Sequence, residues 1–78
     1  MGEVRGPDEI VRDIKRDWKQ PYFGAVPYLD ALSTCTSWND TYGWDGARDL
    51  GLYLLGNMKT WRGDVARSVK AELRLAVK

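Results

Sequence analysis

Histidine is absent from this sequence and cysteine occurs once. With no imidazole there is no ordinary side-chain base poised near neutral pH, and no Ser/His or Cys/His nucleophile pair. Most zinc-type ligand sets and any disulfide framework are excluded by the same two counts. Cys35 by itself reads as a small buried side chain in the reduced state, because nothing in the sequence marks a base to activate it. Long apolar runs are missing too. Leu52-Tyr53-Leu54-Leu55 is the longest, far short of the ~20 residues a membrane helix needs. The opening Met1-Gly2-Glu3-Val4-Arg5-Gly6 has no apolar region of the signal-peptide kind, so the expected location is cytoplasmic, away from any membrane. Alternating β-branched residues never persist, and neither repeats nor low-complexity stretches occur.

What remains is a chain of 78 residues, 44% hydrophobic, with four Trp, four Tyr and one Phe. That length makes one domain of residues 1–78, and the rings supply a large part of its core. Residues 1–6 read as a flexible tail. Net charge is +1 but unevenly spread. Residues 1–20 balance, residues 21–58 carry Arg48 against Asp30, Asp40, Asp45 and Asp49, and residues 59–78 carry six basic side chains against Asp64 and Glu72.

Pro7-Asp8-Glu9 opens a helix, since proline loses nothing at the first turn and acids suit the positive end of the dipole. Ile10, Val11, Ile14 and Trp18 then form one apolar stripe, and Pro21 ends the element. Tyr22 and Phe23, between Pro21 and Pro27, are expected to pin a connector to the core. Pro27 starts a short second helix carrying Tyr28, Leu29, Leu32 and Cys35. Asp45 is the expected cap of a central helix over residues 46–60, whose stripe is Ala47, Leu50, Leu54, Met58 and Trp61. Leu52, Tyr53 and Leu55 lie off that stripe, so this helix should be buried on several sides, with Gly51 and Gly56 admitting close neighbours. Gly63 and Asp64, or Thr60, precede a last helix with Val65, Val69, Leu73 and Val77 inward. The fold class is all-α, a compact bundle of three to four helices.

Chemistry has few places to reside. Asp45 and Asp49 share a helix face, but nothing opposes them to split their pKa values, so they read as a cap and a surface acid. No glycine run has the spacing of a phosphate loop. The expectation is a protein without catalytic residues, metal or cofactor, acting by protein contact with itself, as in a homodimer, or with another protein. Nine large aromatics exceed what a core of this size conceals, and Trp and Tyr dominate interface anchors. Trp38, Tyr42 and Trp44 sit among turn formers and are the first interface candidates, with Trp61 and Arg62 the second. The alternative is a weak DNA-binding module. Arg67, Lys70, Arg74 and Lys78 line one stripe of the last helix and suit a phosphate backbone. Against that reading, the helix opens with Asp64, Val65 and Ala66, which offer little to a base edge.

Two stretches carry a resemblance. Asp17-Trp18-Lys19 through Tyr22-Phe23-Gly24-Ala25-Val26-Pro27-Tyr28-Leu29-Asp30-Ala31 is one, and Thr60-Trp61-Arg62-Gly63 running into Ala66-Arg67 and Lys70-Ala71-Glu72-Leu73 is the other. On these the chain, from about residue 12 onward, resembles small uncharacterised proteins of actinobacterial bacteriophages and prophages. The resemblance brings no catalytic residue. It implies a setting, a small phage protein acting in the host cytoplasm by binding a host factor.

Overall fold

A computed structural model describes residues 5–78. Four helices occur in chain order, α1 (Pro7–Asp17), α2 (Val26–Leu32), α3 (Ala47–Leu55) and α4 (Asp64–Ala76), with a hairpin of β1 (Thr41–Tyr42) and β2 (Asp45–Gly46) before α3. The helices close a ring in which α1 packs on α2 and α4, and α3 packs on α2 and α4. Ile10, Ile14, Leu29, Leu32, Leu54, Met58 and Leu73 fill its centre, and among the described residues no charged or polar side chain is buried.

α1 forms as its first turn dictates. Pro7 stands at the start, Asp8 and Glu9 follow, and Lys15 and Arg16 occupy the last turn. The chain turns extended at Trp18, whose N–H still donates to the Ile14 carbonyl at 2.7 Å. α2 ends at Leu32, and Cys35 is buried just beyond it. The Cys35 carbonyl accepts from the Asp8 N–H at 3.0 Å, which ties the end of α2 to the start of α1.

The structure corrects five expectations. The molecule is largely helical but not wholly so, because Thr41 pairs with Gly46 and Tyr42 with Asp45 in a two-residue antiparallel ladder. Gly43, at φ +65°, supplies the left-handed backbone that reverses the chain. A ladder this short leaves no alternation to detect. It also places Asp45 in β2, so Gly46, not Asp45, precedes α3. The central helix stops at Leu55, and Met58 and Trp61 reach the interior through successive turns instead. Leu52 and Tyr53 are half exposed, so α3 buries one side only. In α4, Val65 is 45% exposed and Ala66 takes the inward place with Val69, Leu73 and Ala76. Gly63, at φ +116°, precedes the helix in a backbone region that favours glycine.

The tail expectation also fails for its last two residues; residues 1–4 lie outside the described ones. Arg5 Nη2 and Nε donate to Glu72 Oε1 and Oε2 at 2.8 and 2.9 Å, and Nη1 donates to Asp13 Oδ2 at 2.6 Å. Its carbonyl accepts from Trp38 Nε1 at 2.7 Å. One residue thus fastens α1, α4 and the loop before the hairpin. Hydrogen bonding from Arg5 holds the Asp13 and Glu72 carboxyls below their usual 3.8 and 4.5. Carboxyls depressed by folding stabilise at pH values above their unfolded pKa and lose that contribution as pH falls through the folded one. Arg5→Ala should therefore cost roughly 1–2 kcal/mol at neutral pH, a figure reduced by the clamp's partial exposure. The gap from the parent should be smaller in urea melts at an acidic pH below the usual carboxyl range than at neutral pH. A gap that is the same at both pH values would show that the clamp is not electrostatic.

Candidate functional site

The hairpin is built from the loop upward. Asp40 accepts from the backbone N–H of Thr36 and Ser37 at 3.0 and 3.1 Å, closing the turn after α2. The Asp40 carbonyl then accepts from the Ala47 N–H at 2.9 Å, fixing the root of the hairpin against α3. Trp38 is not free surface. It is partly buried against the core, its Nε1 is engaged by Arg5, and its ring lies over Gly51. Tyr42 and Trp44 differ from it. Tyr42 is half exposed on β1, and Trp44, in the reversal beside Gly43, has a relative exposure of 102%. No described side chain covers that indole.

Trp61 was expected beside Arg62 as an interface anchor, and the structure buries it to 3% exposure. It stacks on Trp18 with ring centroids 5.8 Å apart, and its Nε1 donates to Asp17 Oδ2 at 2.8 Å. The physical reason is position. The connection from α3 to α4 crosses the end of α1, where two indoles cover a core too small to close with aliphatic side chains. Arg62 stays exposed next to it.

The basic stripe of α4 divides. Arg67, Arg74 and Lys78 are exposed, whereas Lys70 turns back and donates from Nζ to the Trp61 carbonyl at 2.6 Å. Arg62, Gly63, Ala66, Arg67, Lys70 and Arg74 surround a shallow cavity of about 330 Å³ at the opening of α4. Lys78 does not border it.

One aromatic surface escaped the reading of the sequence. Tyr22 and Phe23 do not pin their connector inward. They are exposed, Phe23 to 79%, with centroids 4.7 Å apart, and Tyr28 meets the half-exposed Tyr53 at 5.6 Å. Tyr22 also edges an open cleft of about 310 Å³ with Gly56, Asn57, Lys59 and Thr60. Bracketing prolines signal a connector but not which way its rings point.

Among the described residues, no helix is long and apolar enough to cross a membrane. The chain matches no family model, no curated protein and no solved structure.

Proposed function

We propose that this protein acts without catalysis, as a protein-contact module whose anchor is Trp44 with Tyr42 beside it. The observation that carries the reading is the complete exposure of the Trp44 indole on a hairpin braced at its root by Asp40 and Ala47. A large ring with only two rotatable side-chain bonds, carried on a braced turn, has a modest ordering cost on binding and much area to bury, the properties of an interface hot spot. The fold is a four-helix ring finished by this hairpin, and the ring needs nothing from Trp44 for its own closure. The simplest partner is a second copy. In the phage setting implied by the sequence resemblance, the partner is a host protein and the place of action the host cytoplasm. The basic stripe is a weaker basis for nucleic-acid contact, because Lys70 folds back instead of projecting.

Trp44→Ala should leave the urea midpoint within ~0.5 kcal/mol of the parent, as for other surface substitutions. It should weaken self-association measured by sedimentation equilibrium by roughly 30-fold, the effect of losing one hot spot. A parent protein that stays monomeric at millimolar concentration removes self-association. Capture of the same host proteins by parent and Trp44→Ala would remove the hairpin as the contact altogether.

A further inference from the structure

The cavity at the opening of α4 collects positive charge that the fold does not neutralise. Arg62 enters from the connection before the helix, and Arg67, Lys70 and Arg74 come from its successive turns. Only two acids lie in this last segment of the chain, Asp64 and Glu72. Glu72 is committed to Arg5, and Asp64 is a solvated rim residue whose carboxylate is 3.4 Å from Arg67. Asp17 of α1 is taken by Trp61 Nε1, and among the described residues Arg62, Lys70 and Arg74 form no ion pair with a carboxylate. The Lys70 ammonium is held below its usual range by burial and by the nearby Arg74 and Arg62 guanidiniums, so these cations converge and repel one another. Unpaired cations bordering one cavity favour a multivalent anion there.

We propose that this cavity binds a phosphate-bearing small molecule carrying two or more negative charges, with Arg62 and Arg74 as its principal clamps and Lys70 as the floor. Concavity separates this ligand from a nucleic-acid backbone. A duplex would need a projecting ridge, but Lys70 is tethered to the Trp61 carbonyl and Lys78 stands outside the cavity. The site lies on surfaces other than the Trp44 hairpin and stands independently of the contact reading.

Calorimetric titration with inorganic pyrophosphate, ADP and a short DNA duplex tests it. Pyrophosphate or ADP should bind. Arg62→Ala and Arg74→Ala should each weaken that binding at least tenfold, as expected for loss of one charge-assisted contact, and Lys78→Ala should change it less than twofold. Arg62 and Arg74 are exposed and without ion pairs to described residues, so circular dichroism of both variants should match the parent. Equal affinity for pyrophosphate and ADP assigns the free anion, whereas tighter ADP binding assigns an organic phosphate. Absence of binding by both overturns the proposal. Duplex binding that Lys78→Ala weakens as much as Arg74→Ala overturns it in favour of a backbone ridge.

Discussion

Trp61→Ala is expected to cost about 3–5 kcal/mol, the range for removing a buried aromatic from a core. A domain of this length has a total stability of about 4–12 kcal/mol, so the variant should be largely unfolded at modest urea or on mild warming. The size of the effect follows from what converges on one residue. The indole is stacked on Trp18 at an interplanar angle of 16°, and its Nε1 is bonded to Asp17. Its N–H donates to the Met58 carbonyl at 3.1 Å, and its own carbonyl receives Lys70. Deleting the ring leaves a cavity between α1 and the α3–α4 connection, with no neighbouring large side chain free to fill it. Trp61→Phe separates the contributions. It keeps most of the buried ring but loses the bond to Asp17, and should cost about 1–2 kcal/mol. Circular dichroism supplies an independent check, because the exciton band of two stacked indoles should vanish equally in Trp61→Ala and Trp18→Ala. If Trp61→Ala melts within ~1 kcal/mol of the parent, the ring is not the lid of this core.

That burial was only half legible in the sequence. Trp61 falls on the same helical stripe as Leu50, Leu54 and Met58, and all four are buried. Periodicity therefore found the inward residues while misjudging the backbone that carries them. Helix α3 ends at Leu55, and the turns that follow place Met58 and Trp61 on the same side by a different route. Where local chemistry alone decides, as at Pro7-Asp8-Glu9, the start of the element is readable, although α1 ends at Asp17, before the Pro21 expected to stop it. Side-chain size misled the reading of α4. Valine outranks alanine in any hydrophobic pattern, yet Ala66 is inside and Val65 outside, because positions 65 and 66 lie four and three residues before Val69 and helical spacing alone admits either.

The aromatics and Arg5 show a different limit. That nine rings would not all fit inside could be argued from their number, but which rings stay out depends on segments closing over one another. Trp61 is crossed by α1 and disappears, whereas Phe23, in a connector of similar composition, is crossed by nothing. Arg5 meets Glu72 across 67 residues of sequence. No local pattern encodes such a pairing, and it turns part of an expected tail into a clamp. The basic stripe was visible as spacing, but only the inward turn of Lys70 and the placement of Arg62 convert the stripe into a cavity.

The two glycines of the α3 region should respond to alanine with opposite signs. In a helix interior alanine is favoured over glycine by about 1 kcal/mol, so propensity alone would make Gly51→Ala stabilising. Packing opposes it. A Cβ on Gly51 would collide with Val77 Cγ1 and come 3.0 Å from Trp38 Cζ3. Neither neighbour is free to yield, since Val77 is buried at the end of α4 and the Trp38 ring is anchored through Nε1 to Arg5. Overpacking of this kind costs about 1–3 kcal/mol, which exceeds the propensity gain, and Gly51→Leu should exceed it several-fold and abolish the cooperative melt. At Gly56 the nearest atoms to a new Cβ are the carbonyl oxygens of Tyr53 and Leu52 at 3.5 and 3.9 Å, ordinary contact distances, and φ is −67°. Gly56→Ala should therefore stabilise by about 0.4–1 kcal/mol through the unfolded chain. Val77→Ala introduced with Gly51→Ala should recover part of the loss, giving a coupling of about 1 kcal/mol in a double-mutant cycle. Urea midpoints read the alanine variants, with Val77→Ala alone completing the cycle, and loss of a cooperative transition reads Gly51→Leu. Equal stabilisation by Gly51→Ala and Gly56→Ala would mean that α3 does not press against Trp38 and Val77.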